Sequence, residues 1–362
     1  MEKLGFGMMR LPLLDGSDPT AFDRGQICEM ADAFLEAGFV YFDTAYMYHN
    51  GKSEEMLREA VVKRHPRETF FLADKLPTMF LKKQDDVQRF FSEQLSRTGA
   101  QYFDNYLLHC LDRDNYPLAE RFDCFRFVTE QKEKGLVRHF GFSFHDTPEL
   151  LDEILTKHPE AEFVQLQINY LDWESPTVQA RRCYETAVRH GKDVIVMEPV
   201  KGGKLAMLPA SAEALLRAAD PEASAASWAI RFAASLPHVR TVLSGMSTRA
   251  QVADNTGFMR DFKPLTDSER DLLMQVRDML IRQSEIPCTA CHYCTEGCPA
   301  GIPIPEYFAL YNARADRSAY TAQAEGNGSA DDCLQCGQCE QHCPQHLHII
   351  ELLQRVAAHY SA

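Results

Sequence analysis

Eight of the chain's twelve cysteines crowd into residues 288–343. Cys288-x2-Cys291-x2-Cys294-x3-Cys298-Pro299 recurs as Cys333-x2-Cys336-x2-Cys339-x3-Cys343-Pro344 with every position displaced by the same interval, so this segment is an internal duplication. A tight Cys-x2-Cys-x2-Cys loop sets three thiolates around one face of an iron–sulfur cubane, and the fourth thiolate reaches the other cluster. The spacing therefore assigns Cys288, Cys291, Cys294 and Cys343 to one [4Fe–4S] cluster, and Cys333, Cys336, Cys339 and Cys298 to a second. Two zinc sites are the competing chemistry, but zinc needs only four ligands in paired spacings. A doubled run ending in Cys-Pro both times is more specific. His292, His342, His346 and His348 lie nearby and read as solvent-facing polar residues.

A second constellation sits far upstream. The apolar run Phe39-Val-Tyr-Phe42 ends in Asp43, and Tyr48 follows five residues later. Three further strand-like runs end in Lys75, His109 and Ser143. A tyrosine is a poor acid at its reference pKa near 10, but an adjacent ammonium stabilises its anion and lowers that value. An aspartate fixes the lysine, and a histidine can hydrogen-bond a carbonyl. Singly, each residue has a bland explanation as a cap or a buried ion pair. Together, on successive strand ends, they are what carbonyl reduction needs. Cys28, Cys110, Cys124 and Cys183 read as packing.

These residues must be positioned by repeated strand–helix units. Strand-like runs cover 40–43, 69–74, 102–109, 138–144, 163–169, 193–198 and 239–245, with an eighth expected around 258–262. Helix-like runs fall between them, and Leu4 to Pro12 reads as a short hairpin ahead of the main fold. No Gly-x-Gly-x-x-Gly follows an early strand, so a closed (β/α)8 TIM barrel, an α/β fold, is preferred to an open dinucleotide-binding sheet. The helical run 267–282 reads as a hinge or strut into the cysteine-rich tail. The expected division is a barrel at 1–283 and an iron–sulfur domain at 284–362.

Composition narrows the class. Hydrophobic residues at 45% and charged residues at 25% are ordinary globular values. A net charge of −14 disfavours nucleic-acid binding. The segment from Ile286 onward holds eight acids, three arginines and no lysine, an acidic unit of its own. No run approaches the length of a membrane span, and the first residues lack an apolar signal core, so a cytoplasmic protein is expected.

The tail resembles a two-cluster ferredoxin module, which implies a small α+β ferredoxin-like domain. Residues 1 to about 275 resemble the aldo-keto reductase superfamily. The motifs are Asp43-Thr-Ala-x-x-Tyr48, Lys75, Leu107-Leu-His109, Gly141-Phe-Ser143, Gln165, Glu198-Pro-Val-Lys-Gly-Gly-Lys-Leu205, and Leu243-Ser-Gly-Met-Ser247 running on to Asn255. The resemblance implies a tetrad of Asp43, Tyr48, Lys75 and His109, with Tyr48 as general acid. It also implies that Ser143 and Gln165 hold the nicotinamide of NADPH or NADH. Gly202, Gly203, Gly245, Ser247, Arg249, Gln251 and Asn255 would hold the rest of the dinucleotide. Phe144 replaces the usual asparagine, and Met197 stands where an aromatic residue commonly stacks on the ring.

The expected function is an oxidoreductase that reduces a small carbonyl compound or oxidises an alcohol, with clusters exchanging electrons with a carrier such as ferredoxin or flavodoxin. Hydride carries two electrons and a cluster one, so direct coupling calls for an intermediate such as a flavin, for which the sequence shows no motif. The alternative is an electron-transfer or redox-sensing protein in which the barrel is only a scaffold.

Overall fold

The structure, a computed structural model, describes residues 3–283 and 286–361. Eight parallel strands close into a barrel in sequence order. They are β1 (Leu4–Gly7), β2 (Tyr41–Asp43), β3 (Phe71–Leu76), β4 (Phe103–Leu111), β5 (Val137–Phe144), β6 (Phe163–Gln167), β7 (Asp193–Met197) and β8 (Val239–Ser244).

The expected eighth strand at 258–262 is not there: residues Arg249–Arg260 form a helix. The missing strand is Leu4–Gly7, which closes the barrel by pairing with both β2 and β8. Its apolar run is short, and only pairing with residues far along the chain distinguishes it from a hairpin arm. The helix Asp267–Gln283 is likewise no free strut, because Leu273, Val276 and Leu280 pack into the barrel's main core. The expected domain boundary falls on residues 284–285, outside the described residues.

A strand points alternate side chains inward. Tyr41, Ala73, Leu107, Phe163, Ile195 and Leu243 form a cluster of their own, apart from the core beneath the helices. Gly141 belongs to the same layer, and a Cβ there would lie 2.5 Å from the Phe163 carbonyl oxygen. That layer is the floor on which the site stands.

The tail has a separate hydrophobic core, including Ile304, Phe308, Ile349, Leu353 and Val356. Its cysteine runs lie on and around loops between the helices Ile304–Asn312, Arg317–Ala324, Gln338–Gln341 and Ile349–Ser361. No helix among the described residues is long and apolar enough to cross a membrane.

Behind the mouth of the barrel, Asp74 accepts the backbone N–H of Lys75 at 2.8 Å. Burial, and next the Glu54 carboxylate, push Asp74 well above the usual carboxylate range. Burial raises Glu54 as well. The native state thus holds a proton that the unfolded chain releases once pH exceeds the ordinary carboxylate value of about 4. That stabilisation is complete at lower pH and is eroded as pH rises towards the folded value. Urea midpoints measured from about pH 5 to about pH 8 should show the wild type losing stability relative to Asp74→Asn, which has no such proton to lose.

Candidate active site and cluster cradle

Two residues beyond each member of the floor layer, the same alternation presents the next inward side chain. Asp43 follows Tyr41, Lys75 follows Ala73, His109 follows Leu107, Ser143 follows Gly141, Gln165 follows Phe163, and Gly245 follows Leu243. Strand ends, not loops, therefore bring these six positions together, at the C-terminal mouth where barrel enzymes keep their chemistry. His109 needs one further device. The β4–β5 register shifts between Leu108 and Leu111, and Cys110 takes a φ of +57°. Its N–H is donated to the Ser143 hydroxyl at 2.7 Å. Cys110 is thus at the site, where packing was the preferred expectation and a place beside His109 the other.

Lys75 Nζ donates to Asp43 Oδ1 at 2.5 Å, to the Thr44 carbonyl at 2.8 Å and to the Tyr48 hydroxyl at 3.3 Å. The Tyr48 and His109 rings meet edge-on with centroids 6.1 Å apart. Burial pushes the Tyr48 phenol well above its ordinary value, and the Asp43 carboxylate adds to the effect. This corrects the expectation of a lowered phenol: desolvation outweighs the ammonium. Burial and then Lys75 hold His109 well below the usual imidazole range, so its ring is neutral. The mouth thus presents a protonated phenol and a neutral imidazole, both able to donate a hydrogen bond to an oxygen.

A cleft extends from this mouth. It is lined by Ser143, Gln165, Gly202, Gly203, Gly245 and Ser247, and further along by Gln251 and Asn255. Gln165 Oε1 and His109 Nδ1 are buried without a partner. Such orphaned atoms fit a ligand that supplies the missing donor or acceptor, as a carboxamide would. At the far end, the helix Arg249–Arg260 directs its N-terminus at the cleft, with Thr248 as its cap. The donor set fits a dinucleotide. Arg249 does not join it: its guanidinium pairs with Glu29 at 2.9 Å and it does not line the cleft.

Gly202 has a role that the sequence did not reveal. Its φ is +64°, and a Cβ there would lie 2.3 Å from the Thr289 carbonyl oxygen of the tail. Arg10 donates to that same carbonyl at 3.1 Å. Nearby, Lys201 is buried and donates to both Asp172 oxygens, at 2.6 and 2.7 Å, and to Gln345 Oε1 at 2.9 Å. Gln345 returns a bond to Gln167 at 2.8 Å. The tail is thus clamped onto the barrel at Thr289 and at Gln345, two residues past Cys343. Isolated buried lysines are costly, so Lys201, which stood in a loop motif without a role, was the one available signal.

Cys288, Cys291, Cys294 and Cys343 surround one small apolar cavity with Ile304, Phe308 and Leu347. No three Cys, His, Asp or Glu side chains among the described residues converge to hold a single metal ion. Thiols ringing a cavity suit a cubane, in which each thiolate binds a different iron, better than they suit zinc. Burial pushes the Cys291 thiol up to about 12, so cluster loading there must displace protons. In the second run, burial raises the Cys339 thiol first, then Glu340, with Cys333 and Cys336 close enough to add to it. Gly297, beside Cys298, lies against Gln338 of that run. Cys336 is exposed, as are His292, His342, His346 and His348. Tyr46, Tyr170 and Trp173 serve packing and line neither the cleft nor the tail.

Residues 3–278 match the model of the aldo/keto reductase family, and residues 287–348 match that of the 4Fe-4S dicluster domain. The chain belongs to the aldo/keto reductase family and is an oxidoreductase carrying a 4Fe–4S dicluster domain. It is 21% identical over 286 residues to YqkF, an uncharacterized oxidoreductase of Bacillus subtilis, covering 70% of this chain and 86% of that protein. Among solved structures it is similar to the holo form of an aldo-keto reductase of Bacillus halodurans. That pair has 25% identity, a TM-score of 0.61, and coverage of 76% of this chain and 91% of the other. A Klebsiella pneumoniae aldo/keto reductase solved with NADP and acetate shares the fold at 19% identity and a TM-score of 0.60, covering 76% and 91% of the two chains.

The clamp at Gly202 gives a contrast between neighbours. Gly202→Ala and Gly203→Ala both place a Cβ at positive φ, at roughly 1–2 kcal/mol of strain each, but only the first meets the tail. Thermal unfolding and iron content should show a small stability loss with full iron for Gly203→Ala. Gly202→Ala should lose more stability and retain less iron.

Proposed function

We propose that the barrel reduces the carbonyl of a small molecule, or oxidises the corresponding alcohol, with Tyr48 as the proton donor and acceptor. NAD(P)H bound in the cleft would supply the hydride. The observation that carries this proposal is the buried contact of Lys75 with both Asp43 and Tyr48, beside the open Nδ1 of His109. A scaffold has no need of it.

The roles follow from the geometry. Tyr48 holds its proton at neutral pH and gives it to the developing alkoxide oxygen. Lys75 then stands beside the phenolate and compensates its charge, while Asp43 and the Thr44 carbonyl hold Lys75 still. His109, being neutral, donates a hydrogen bond to the same oxygen and orients the substrate. Ser143 and Gln165 would hold the nicotinamide carboxamide. The NADP and NADPH complexes of the Klebsiella pneumoniae reductases support a nicotinamide here. Cys288, Cys291, Cys294 and Cys343 would hold one cluster, and Cys298, Cys333, Cys336 and Cys339 a second. The exposed Cys336 would face a one-electron carrier such as ferredoxin or flavodoxin in an anaerobic or well-protected cytoplasm.

Tyr48→Phe keeps the ring and removes the proton. Assayed as NAD(P)H oxidation with an aldehyde, it should lower kcat by about 10²-fold or more while KM moves little. Survival of full turnover would sink the tetrad. In the reductive direction the wild-type rate should hold across neutral pH and fall only on the alkaline side of the ordinary phenol value of about 10, because Tyr48 is shifted upward. Anaerobic addition of NADPH, followed by cluster absorbance, should bleach the clusters if the tail shares electrons with the barrel. An unchanged spectrum with nucleotide bound would restrict the tail to another donor or to holding the fold.

A further inference from the structure

Three cavities meet at Tyr293, which stands between the second and third cysteines of the first run. It lines the catalytic cleft together with Tyr48 and His109. It lines an outer recess with His49 and Asn50. It also lines a cavity between tail and barrel, which shares His145 and Pro344 with the cleft.

The tail–barrel cavity has a definite character. Met47, Met79 and Phe80 give it an apolar side, and Asp112 and Glu296 are its carboxylates. No lysine or arginine is among the described residues that line it. Burial holds the His145 ring down to about 4, so it adds no charge at neutral pH. The Cys343 side of the cavity borders four thiolates, whose cluster would be anionic overall. A carboxylate or phosphate entering here would give up its water and meet no lysine or arginine, only the exposed imidazoles of His342 and His346, while two carboxylates would repel it.

We propose that the tail–barrel cavity is the substrate site, that Tyr293 positions the substrate against Tyr48 and His109, and that the site selects uncharged carbonyl compounds with an apolar body over carboxylated or phosphorylated ones. This rests on the carbonyl-reductase reading above. It makes the cysteine run itself part of the substrate wall.

The test uses the full chain with its clusters and NADPH, and compares 4-methylbenzaldehyde with the similarly shaped 4-carboxybenzaldehyde. Wild type should favour the neutral aldehyde in kcat/KM by about tenfold or more. Met79→Lys, on the barrel side and away from every cysteine, should narrow or invert that preference by restoring a cation. Tyr293→Ala should raise KM for the neutral aldehyde more than it lowers kcat, with the cluster spectrum unchanged. Equal use of the two aldehydes by wild type, or an unchanged ratio in Met79→Lys, would overturn the assignment while leaving the reductase intact. Turnover of neither aldehyde, with NADPH bound, would overturn the reductase reading and this assignment together.

Discussion

The ammonium of Lys75 lies in the barrel mouth with its side chain only 1% exposed, and the site depends on how that charge is held. An unpaired buried charge costs several kcal/mol, so the position is tenable only because Asp43 and the Thr44 carbonyl grip it. The same grip leaves one direction of the ammonium for Tyr48. Desolvation, which makes the charge expensive, also keeps Tyr48 protonated and His109 neutral. One low-dielectric pocket therefore sets both protonation states, each the one that carbonyl reduction requires.

The tail repeats the strategy at the other side of the mouth. Lys201 is buried against Asp172, and its remaining bond goes to Gln345, two residues past Cys343. Gln167, Asn169 and Asp172 satisfy one another around it. A network so completely paired specifies one docking geometry, since a small slip would strand a charge away from water. The consequence is that two cores, each with its own apolar packing, are joined by polar contacts placed between the cleft at the barrel mouth and the cavity ringed by Cys288, Cys291, Cys294 and Cys343.

Much of the catalytic mouth was legible because a strand has a period of two. Asp43, Lys75, His109 and Ser143 could be placed from apolar runs that end in polar residues, and the structure puts each two residues above a floor-layer position. The cysteine runs were legible for a similar reason, since a short loop brings its own thiols together. What failed was non-local. Leu4–Gly7 is a barrel strand because β2 and β8 flank it, and nothing within its four residues says so. Arg249 stood among the dinucleotide contacts that the resemblance implied, yet Glu29, far away in the chain, pairs with it.

By itself, then, the sequence determined which side chains could do chemistry, on which strand ends they stand, and that two sets of four thiolates are available. These are consequences of local spacing, and short-range geometry carries them. Only the tertiary structure decided that desolvation overrides the lysine at Tyr48, that a bulge at Cys110 aims His109, and that Gly202 is small to admit Thr289. It alone placed Tyr293 at the junction of three cavities. Each of these depends on what approaches from a distant part of the chain, and burial and close approach have no signature in the spacing of neighbours.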